Sequence, residues 1–127
     1  MWAINKSPLI IGAALGQDRL STTSLAIISN EEIIAINQDA FAKQAQLVCR
    51  YTEEEWDVWL GELSGARKVL GVANWKNESQ RVDIDLASLG VAAAQARDVW
   101  VAKRCRHCIW IAKDGTGGPR VAAVDAL

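Results

Sequence analysis

The sequence lacks a dominant charge: 14 basic and 15 acidic side chains leave a net charge of −1 over 127 residues. Without a basic excess, no nucleic-acid or anionic-membrane partner is expected. No apolar run approaches the roughly 20 residues that cross a bilayer, so no membrane span is expected either. The cysteines are too few and odd in number. Cys49, Cys105 and Cys108 cannot form a closed disulfide framework, so cysteine usage leaves the redox compartment open. Met1-Trp2-Ala3-Ile4-Asn5-Lys6 has no basic stretch leading into an apolar core, and no signal peptide is expected in this chain. Internal repeats and low-complexity tracts are absent. Against these absences stands an apolar fraction of 50%, a globular composition long enough for one ordinary domain.

The chain changes character twice. Residues 1–44 read as helix, apolar strand, helix. Pro8-Leu9-Ile10-Ile11-Gly12 is a short apolar run of the kind that suits a strand buried on both faces. Ser21 is a good N-cap, with Leu20 and Leu25 at the staple positions around it. Asn30 can end that helix or cap a second one, in which Glu31 and Glu32 lie in the first turn, where the helix dipole favours acids. Strand then helix is half of a βαβ unit, and one strand is not a sheet.

Residues 45–102 read as short strands. Leu47, Cys49 and Tyr51 are expected on one face of the first, and Trp56, Val58 and Leu60 on one face of the next. Ser64-Gly65-Ala66-Arg67 suits a turn, Val69 to Trp75 a central strand, and Lys76-Asn77-Glu78-Ser79 another turn. Arg81 to Leu86 alternates strictly, with Val82, Ile84 and Leu86 inward. Arg97 to Val101 is a fifth candidate. This spacing predicts an antiparallel sandwich. Residues 103–127 fit neither pattern.

Three stretches carry a resemblance to a known family. Trp2-Ala3-Ile4-Asn5-Lys6-Ser7-Pro8-Leu9-Ile10-Ile11-Gly12 is one, and Ile33-Ile34-Ala35-Ile36-Asn37-Gln38-Asp39 is the second. The third is Trp56-Asp57-Val58-Trp59 with Val69-Leu70-Gly71-Val72-Ala73-Asn74-Trp75. Together they resemble the melibiase-type α-galactosidases, glycoside hydrolase family twenty-seven, and fungal members most. The resemblance implies an α+β fragment: the last strand and helix of a (β/α)8 barrel, then a mostly antiparallel β-sandwich domain. It implies hydrolysis of terminal non-reducing α-D-galactose with retention, from oligosaccharides and galactomannans. That chemistry uses two aspartates about 5 Å apart across the glycosidic bond. In the family they end the fourth and sixth barrel strands, and an aspartate contacting the galactose hydroxyls follows the seventh. All three positions lie upstream of Trp2, so no catalytic residue is assigned here and the chain alone is expected to be inactive. After the eighth strand the family often has Gly-Asn-Asp-Leu. Gly12-Ala13-Ala14-Leu15 has lost that polar pair. The resemblance also implies secretion, although no leader is read in this chain.

Other constellations carry less. Glu53-Glu54-Glu55 reads as a solvated loop, and Asp83 with Asp85 as the wet face of an outer strand. Cys105-Arg106-His107-Cys108 is a C-x-x-C without a second pair. Only Cys49 could join it, so no metal site and no cofactor are assigned. Asn77-Glu78-Ser79 is an N-glycosylation sequon on a turn, and Asn77 is the one modification site assigned. Six tryptophans, Trp2, Trp56, Trp59, Trp75, Trp100 and Trp110, read mainly as sandwich core. From Lys103 on, basic residues and two cysteines replace the turn, alternating strand and apolar strand that the resemblance calls for. Residues 103–127 are therefore expected to be a divergent tail, as from a change of reading frame, that leaves the sandwich without its closing strands. The alternative function is a non-catalytic sandwich module that binds carbohydrate or a protein partner.

Overall fold

The computed structural model describes residues 1–15, 20–78, 80–91, 93–100, 103–105, 110–112 and 120–126. Two short helices, α1 (Thr22–Ile28) and α2 (Glu31–Asn37), precede eight strands: β1 (Gln46–Tyr51), β2 (Trp56–Glu62), β3 (Lys68–Asn74), β4 (Gln80–Val82), β5 (Ala93–Asp98), β6 (Lys103–Cys105), β7 (Trp110–Ala112) and β8 (Arg120–Ala126). Six strands form one sheet in the order β1-β2-β3-β8-β5-β6, and β4 pairs with β7 in a second. Every pairing among the described residues is antiparallel. The α+β expectation with an antiparallel sandwich holds.

β2 and β3 are the spine. Trp56, Val58, Leu70 and Val72 point into one core, shared with Val82, Val91 and Ala96. Val69 points the other way, into a second cluster with Ile4, Ile36, Ala45, Leu63 and Val99. β3 is thus buried on both faces, as its unbroken apolar run requires. Burying each such side chain contributes about 1.5–3 kcal/mol. The β2–β3 hairpin turns at Ser64–Arg67, where the N–H of Leu63 donates to the carbonyl of Arg67 at 2.9 Å. Gly65 and Ala66 have φ of 71° and 59°, the pair of positive values that a type I′ turn demands. Gly71 serves a different need. A Cβ there would lie 2.7 Å from Cδ1 of Ile4, so its bare backbone is what lets the N-terminal segment seat on the sheet.

Four expectations need correction. Pro8 to Gly12 is not a strand, and Leu9, Ile10 and Ile11 are exposed. A parallel strand needs neighbours, and none of the described strands pairs with it. In β1, the register shifts between Leu47 and Cys49, so Leu47 sits opposite Trp59 while Cys49 sits opposite Val58. This bulge puts Leu47 and Cys49 on different faces, against the expectation of one shared face. The fifth strand runs Ala93–Asp98, not Arg97 to Val101. Asp98 Oδ1 accepts from the N–H of Trp100 at 2.8 Å, which turns the chain out of the ladder. Finally, the expectation that residues 103–127 leave the sandwich unclosed fails. β8 lies between β3 and β5, with Gly71 opposite Val121 and Arg97 opposite Ala123. The Val-Ala-Ala-Val run is alternating only weakly, which concealed it as the closing strand.

The candidate strand from Arg81 is short for a related reason. β7 offers only three partners to β4. The chain then leaves the ladder yet keeps its alternation: Val82 is buried, Asp83 and Asp85 are exposed, and Ile84 and Leu86 pack on the core. The inward residues are the expected ones.

Candidate functional site: a tryptophan-bordered apolar groove

The N-terminal segment is held to the sandwich by polar bolts around a small apolar plug. Residues 1–7 make one helical turn, with Asn5 N–H to Met1 O at 3.1 Å, and Lys6 ends it at φ 54°. Ile4 is the plug, 1% exposed. Its carbonyl accepts from the N–H of Ala45 at 2.9 Å. The Lys6 ammonium donates to the carbonyl of Ile36. Asn37, buried at the end of α2, donates to the carbonyl of Ser7 at 2.9 Å. Asn30 settles its two sequence options as the N-cap of α2. Its Oδ1 accepts from Ile33 N–H at 3.0 Å, and its Nδ2 donates to Val99 O at 3.0 Å, across to the sandwich. Glu32, in the first turn as expected, receives Arg97 in two bonds of 2.8 and 2.6 Å. Those bonds hold the Glu32 carboxyl below its ordinary pKa.

Asp39 is the strongest bolt. Its carboxylate accepts from Ser64 N–H at 2.9 Å, Ser64 Oγ at 2.7 Å, Phe41 N–H at 3.0 Å and Arg67 at 2.9 Å. Burial alone raises a carboxyl pKa. Here the donors from Ser64 and Phe41, with the charge of Lys6, outweigh it and bring Asp39 down to about 2. Asp57 does similar work on β2. Arg50 grips it at 3.0 and 3.1 Å, and Trp75 Nε1 donates to it at 3.0 Å. The Arg50 bonds, ahead of burial, set its pKa below the ordinary value. These carboxylates are ionised structural acceptors and not proton donors or nucleophiles poised near neutrality.

Residues of this segment and of α1 and α2, with Trp75 just past β3 and Trp100 just past β5, line a groove of about 550 Å³. Ile10, Ile11, Ile27, Ile34, Trp75 and Trp100 are among its walls, and among the described residues no acid, base or hydroxyl side chain lines it. Trp2 and Trp75, 68% and 61% exposed, stand at it as open aromatic faces. Among the described residues, the buried indole N–H groups of Trp100 and Trp59 have no acceptor. Gly12 and Ala13 also border the groove. The groove can bind apolar or aromatic surface.

The remaining sequence candidates fall elsewhere. Glu53, Glu54 and Glu55 are exposed at the β1–β2 tip, and Asp83 and Asp85 are exposed singly. Asn77 is exposed on the bend after β3, where Asn74 ties the loop by donating to Glu78 O at 2.9 Å. Trp56 is core, stacked on Tyr51 with ring centroids 3.8 Å apart, whereas Trp2 and Trp75 are not core. Arg106, His107 and Cys108 lie outside the described residues. Among the described residues, no cluster of His, Cys, Asp or Glu could hold a metal ion, and no helix is long and apolar enough to cross a membrane. Sequence reasoning missed the pairing of Asp57 with Trp75. An aspartate near the start of an otherwise apolar strand was the available signal.

Residues 53–124 match the family described as the alpha galactosidase C-terminal beta sandwich domain. The match runs well past Lys103, where the resemblance was expected to break. "Alpha-galactosidase D" of Emericella nidulans is 42% identical over 101 residues, which cover 79% of this chain and 15% of that protein. "Probable alpha-galactosidase D" of Aspergillus fumigatus is 46% identical over 103 residues, 79% of this chain and 16% of that protein. The α-galactosidase of Saccharomyces cerevisiae, solved with raffinose, aligns over 82% of this chain and 26% of its own, at TM-score 0.68 and 28% identity. The chain thus spans about a sixth of the curated relatives it matches. With more than half its length matched by the sandwich domain, the chain belongs to the melibiase-type α-galactosidase family, of which it represents a C-terminal part.

Proposed function

We propose that this chain is the C-terminal portion of a secreted fungal-type α-galactosidase that removes terminal non-reducing α-D-galactose from oligosaccharides and galactomannans with retention. Residues 1–44 are then the end of its (β/α)8 barrel, and the sandwich is the domain behind it. The observation that supports this reading is a similarity that does not stop at the sandwich: 103 matched residues exceed the 53–124 domain and reach into the N-terminal segment. In this reading the chain contributes no catalytic carboxylate. Its described carboxylates are exposed or bound into ion pairs and turns. The 127-residue chain incubated with an aryl α-galactoside is expected to give no turnover above a buffer blank, because losing members of a catalytic unit costs several orders of magnitude. Turnover that survives purification overturns this assignment of roles. Asn77 is the proposed glycan site, tested by a mass loss on endoglycosidase treatment after expression through a secretory pathway.

A second reading, a carbohydrate-binding module, draws on Trp75, whose exposed ring is oriented by Asp57 beside the donor groups of Arg50. Galactose-dependent quenching of tryptophan fluorescence, lost in Trp75→Ala, supports it. No response to millimolar galactose sinks it.

A further inference from the structure

We propose that the indole ring of Trp75 is a platform on which the first sugar of a glycan on Asn77 stacks. The inference rests on the reading of Asn77 as a glycan site and adds to it the surface that the glycan meets on the protein. Three observations carry it.

The first is exposure. An indole is a large apolar surface, and a fold that offers cover buries most of it. Trp75 is 61% exposed, directly after β3, whose central residues are buried. Among the described residues it stacks on no other ring, whereas Trp56 is stacked on Tyr51.

The second is rigidity. The N–H of Trp75 donates to the carbonyl of Glu55 at 2.8 Å, and its Nε1 donates to Asp57 at 3.0 Å. Asp57 is itself gripped by Arg50 in two bonds of 3.0 and 3.1 Å. The polar edge of the indole is thus used inside the protein, and a flat π-surface remains for a ligand. The first sugar of an N-linked glycan has one face made of axial C–H groups, which suits the electron-rich face of an aromatic ring. A ring already held in place adds little ordering cost to the contact.

The third is spacing. Trp75-Lys76-Asn77-Glu78-Ser79 puts the ring two residues before the asparagine of the sequon. Asn74 closes this stretch into a bend. Its Oδ1 accepts from the N–H of Lys76 at 3.0 Å, and its Nδ2 donates to the carbonyl of Glu78 at 2.9 Å. Trp75 and Asn77 are therefore held in one bend after β3, and both are exposed. A single sugar stacked on one ring is a weak contact. A sugar on Asn77 is tethered a few bonds away, which makes the encounter intramolecular and raises its effective concentration to the millimolar range or above.

The test uses the full 127-residue chain, secreted behind an added leader from a yeast host and trimmed by an endoglycosidase to a single N-acetylglucosamine. Mass spectrometry reads the occupancy of Asn77. Proton NMR reads the acetyl methyl group of that sugar, which the ring current of a stacked indole shifts upfield. The expected result is an occupied Asn77 and an upfield methyl signal that returns to its unfolded-chain position in Trp75→Leu. Trp75→Phe keeps part of the shift, because the ring remains and the bond to Asp57 is lost. A peptide N-glycosidase then removes the sugar and leaves an aspartate in place of Asn77. That step lowers the melting temperature of the native chain by about 3 °C more than that of Trp75→Leu. An unoccupied Asn77 overturns the inference together with the glycan reading. An occupied Asn77 with the same methyl signal in the native and Trp75→Leu chains overturns the inference alone, as does an equal loss of melting temperature in both. If Trp75→Leu is not secreted, the native chain is compared with itself in urea. A methyl signal that does not move on unfolding is then the overturning result.

Discussion

Two apolar runs in this chain have opposite fates. Val69-Leu70-Gly71-Val72-Ala73 is the centre of β3, with every residue buried. Leu9-Ile10-Ile11 belongs to no strand, pairs with none of the described strands and is exposed. The difference is not propensity, since Ile is as good a strand former as Val. It is the presence of partners. β3 has β2 on one edge, β8 on the other, and apolar side chains on both faces. Leu9 to Ile11 has no edge partner among the described strands. A hydrophobic run states what a segment wants to be buried by, and only the rest of the fold decides whether it is.

The contrast can be broken first where packing is densest. Leu70, 1% exposed, touches the core shared with Val58, Val82 and Val91. Leu70→Ala is expected to destabilise the sandwich by about 3 kcal/mol, through lost transfer energy and the cavity left behind. Urea unfolding followed by far-ultraviolet dichroism measures it. A loss under about 1 kcal/mol means that this core is looser than its burial indicates.

The next effect sits at the junction of the two regions. Asp39→Ala leaves the N–H groups of Ser64 and Phe41 and the Arg67 guanidinium without their acceptor, a loss of about 2 kcal/mol. The same carboxylate sets an acid limit. Its folded pKa of about 2 lies below the ordinary 3.8. Its contribution is therefore fully present above about pH 5 and is lost as pH falls from there toward 2. Urea midpoints should fall between pH 5 and pH 3 in the native chain, and fall less in Asp39→Asn. Equal slopes for the two proteins remove Asp39 as the cause.

Much of this was readable from residues, and the rest failed for identifiable reasons. Ser21 and Asn30 announce helix starts because a side-chain acceptor before an apolar-periodic stretch has a local job, and both caps are present. The inward faces of β2 and of Val82-Ile84-Leu86 follow from alternation, which holds even where the ladder ends. The bulge after Leu47 was invisible, because an inserted residue leaves no compositional trace and shifts every face behind it. β8 was invisible because its alternation is built from Val and Ala and its partners lie about 50 and 25 residues upstream. The groove was invisible because it is an absence: its walls read as apolar, and only the structure shows that, among the described residues, they stay exposed.

A smaller perturbation separates local capping from attachment. Asn30 both caps α2 and reaches Val99 on the sandwich. Asn30→Ala should lose about 1 kcal/mol from the cap and the bridging bond with it. Asn30→Asp keeps the acceptor for Ile33 and loses only the donor to Val99. If attachment matters as the geometry indicates, the aspartate variant loosens residues 1–44 selectively, seen as faster amide exchange in α2 with β3 unchanged. Uniform exchange in both elements would mean that the two regions unfold as one unit.

The smallest expected change in stability comes from the exposed run itself. Ile10 is 79% exposed. Ile10→Ser removes almost no buried area, so the urea midpoint of the free chain should move by no more than about 0.5 kcal/mol. The same substitution takes a large aliphatic side chain from the wall of the groove. Binding of an apolar fluorescent dye should therefore fall clearly, although stability does not. The matched control is Val72→Ser, at a position 3% exposed, which should cost several kcal/mol by cavity formation and an unpartnered hydroxyl while leaving dye binding in the folded state unchanged. The pair of variants reads the two regions on two independent scales. If Ile10→Ser destabilises as Val72→Ser does, the free chain already buries Leu9 to Ile11 in solution. The distinction between a covered and an uncovered apolar run would then disappear.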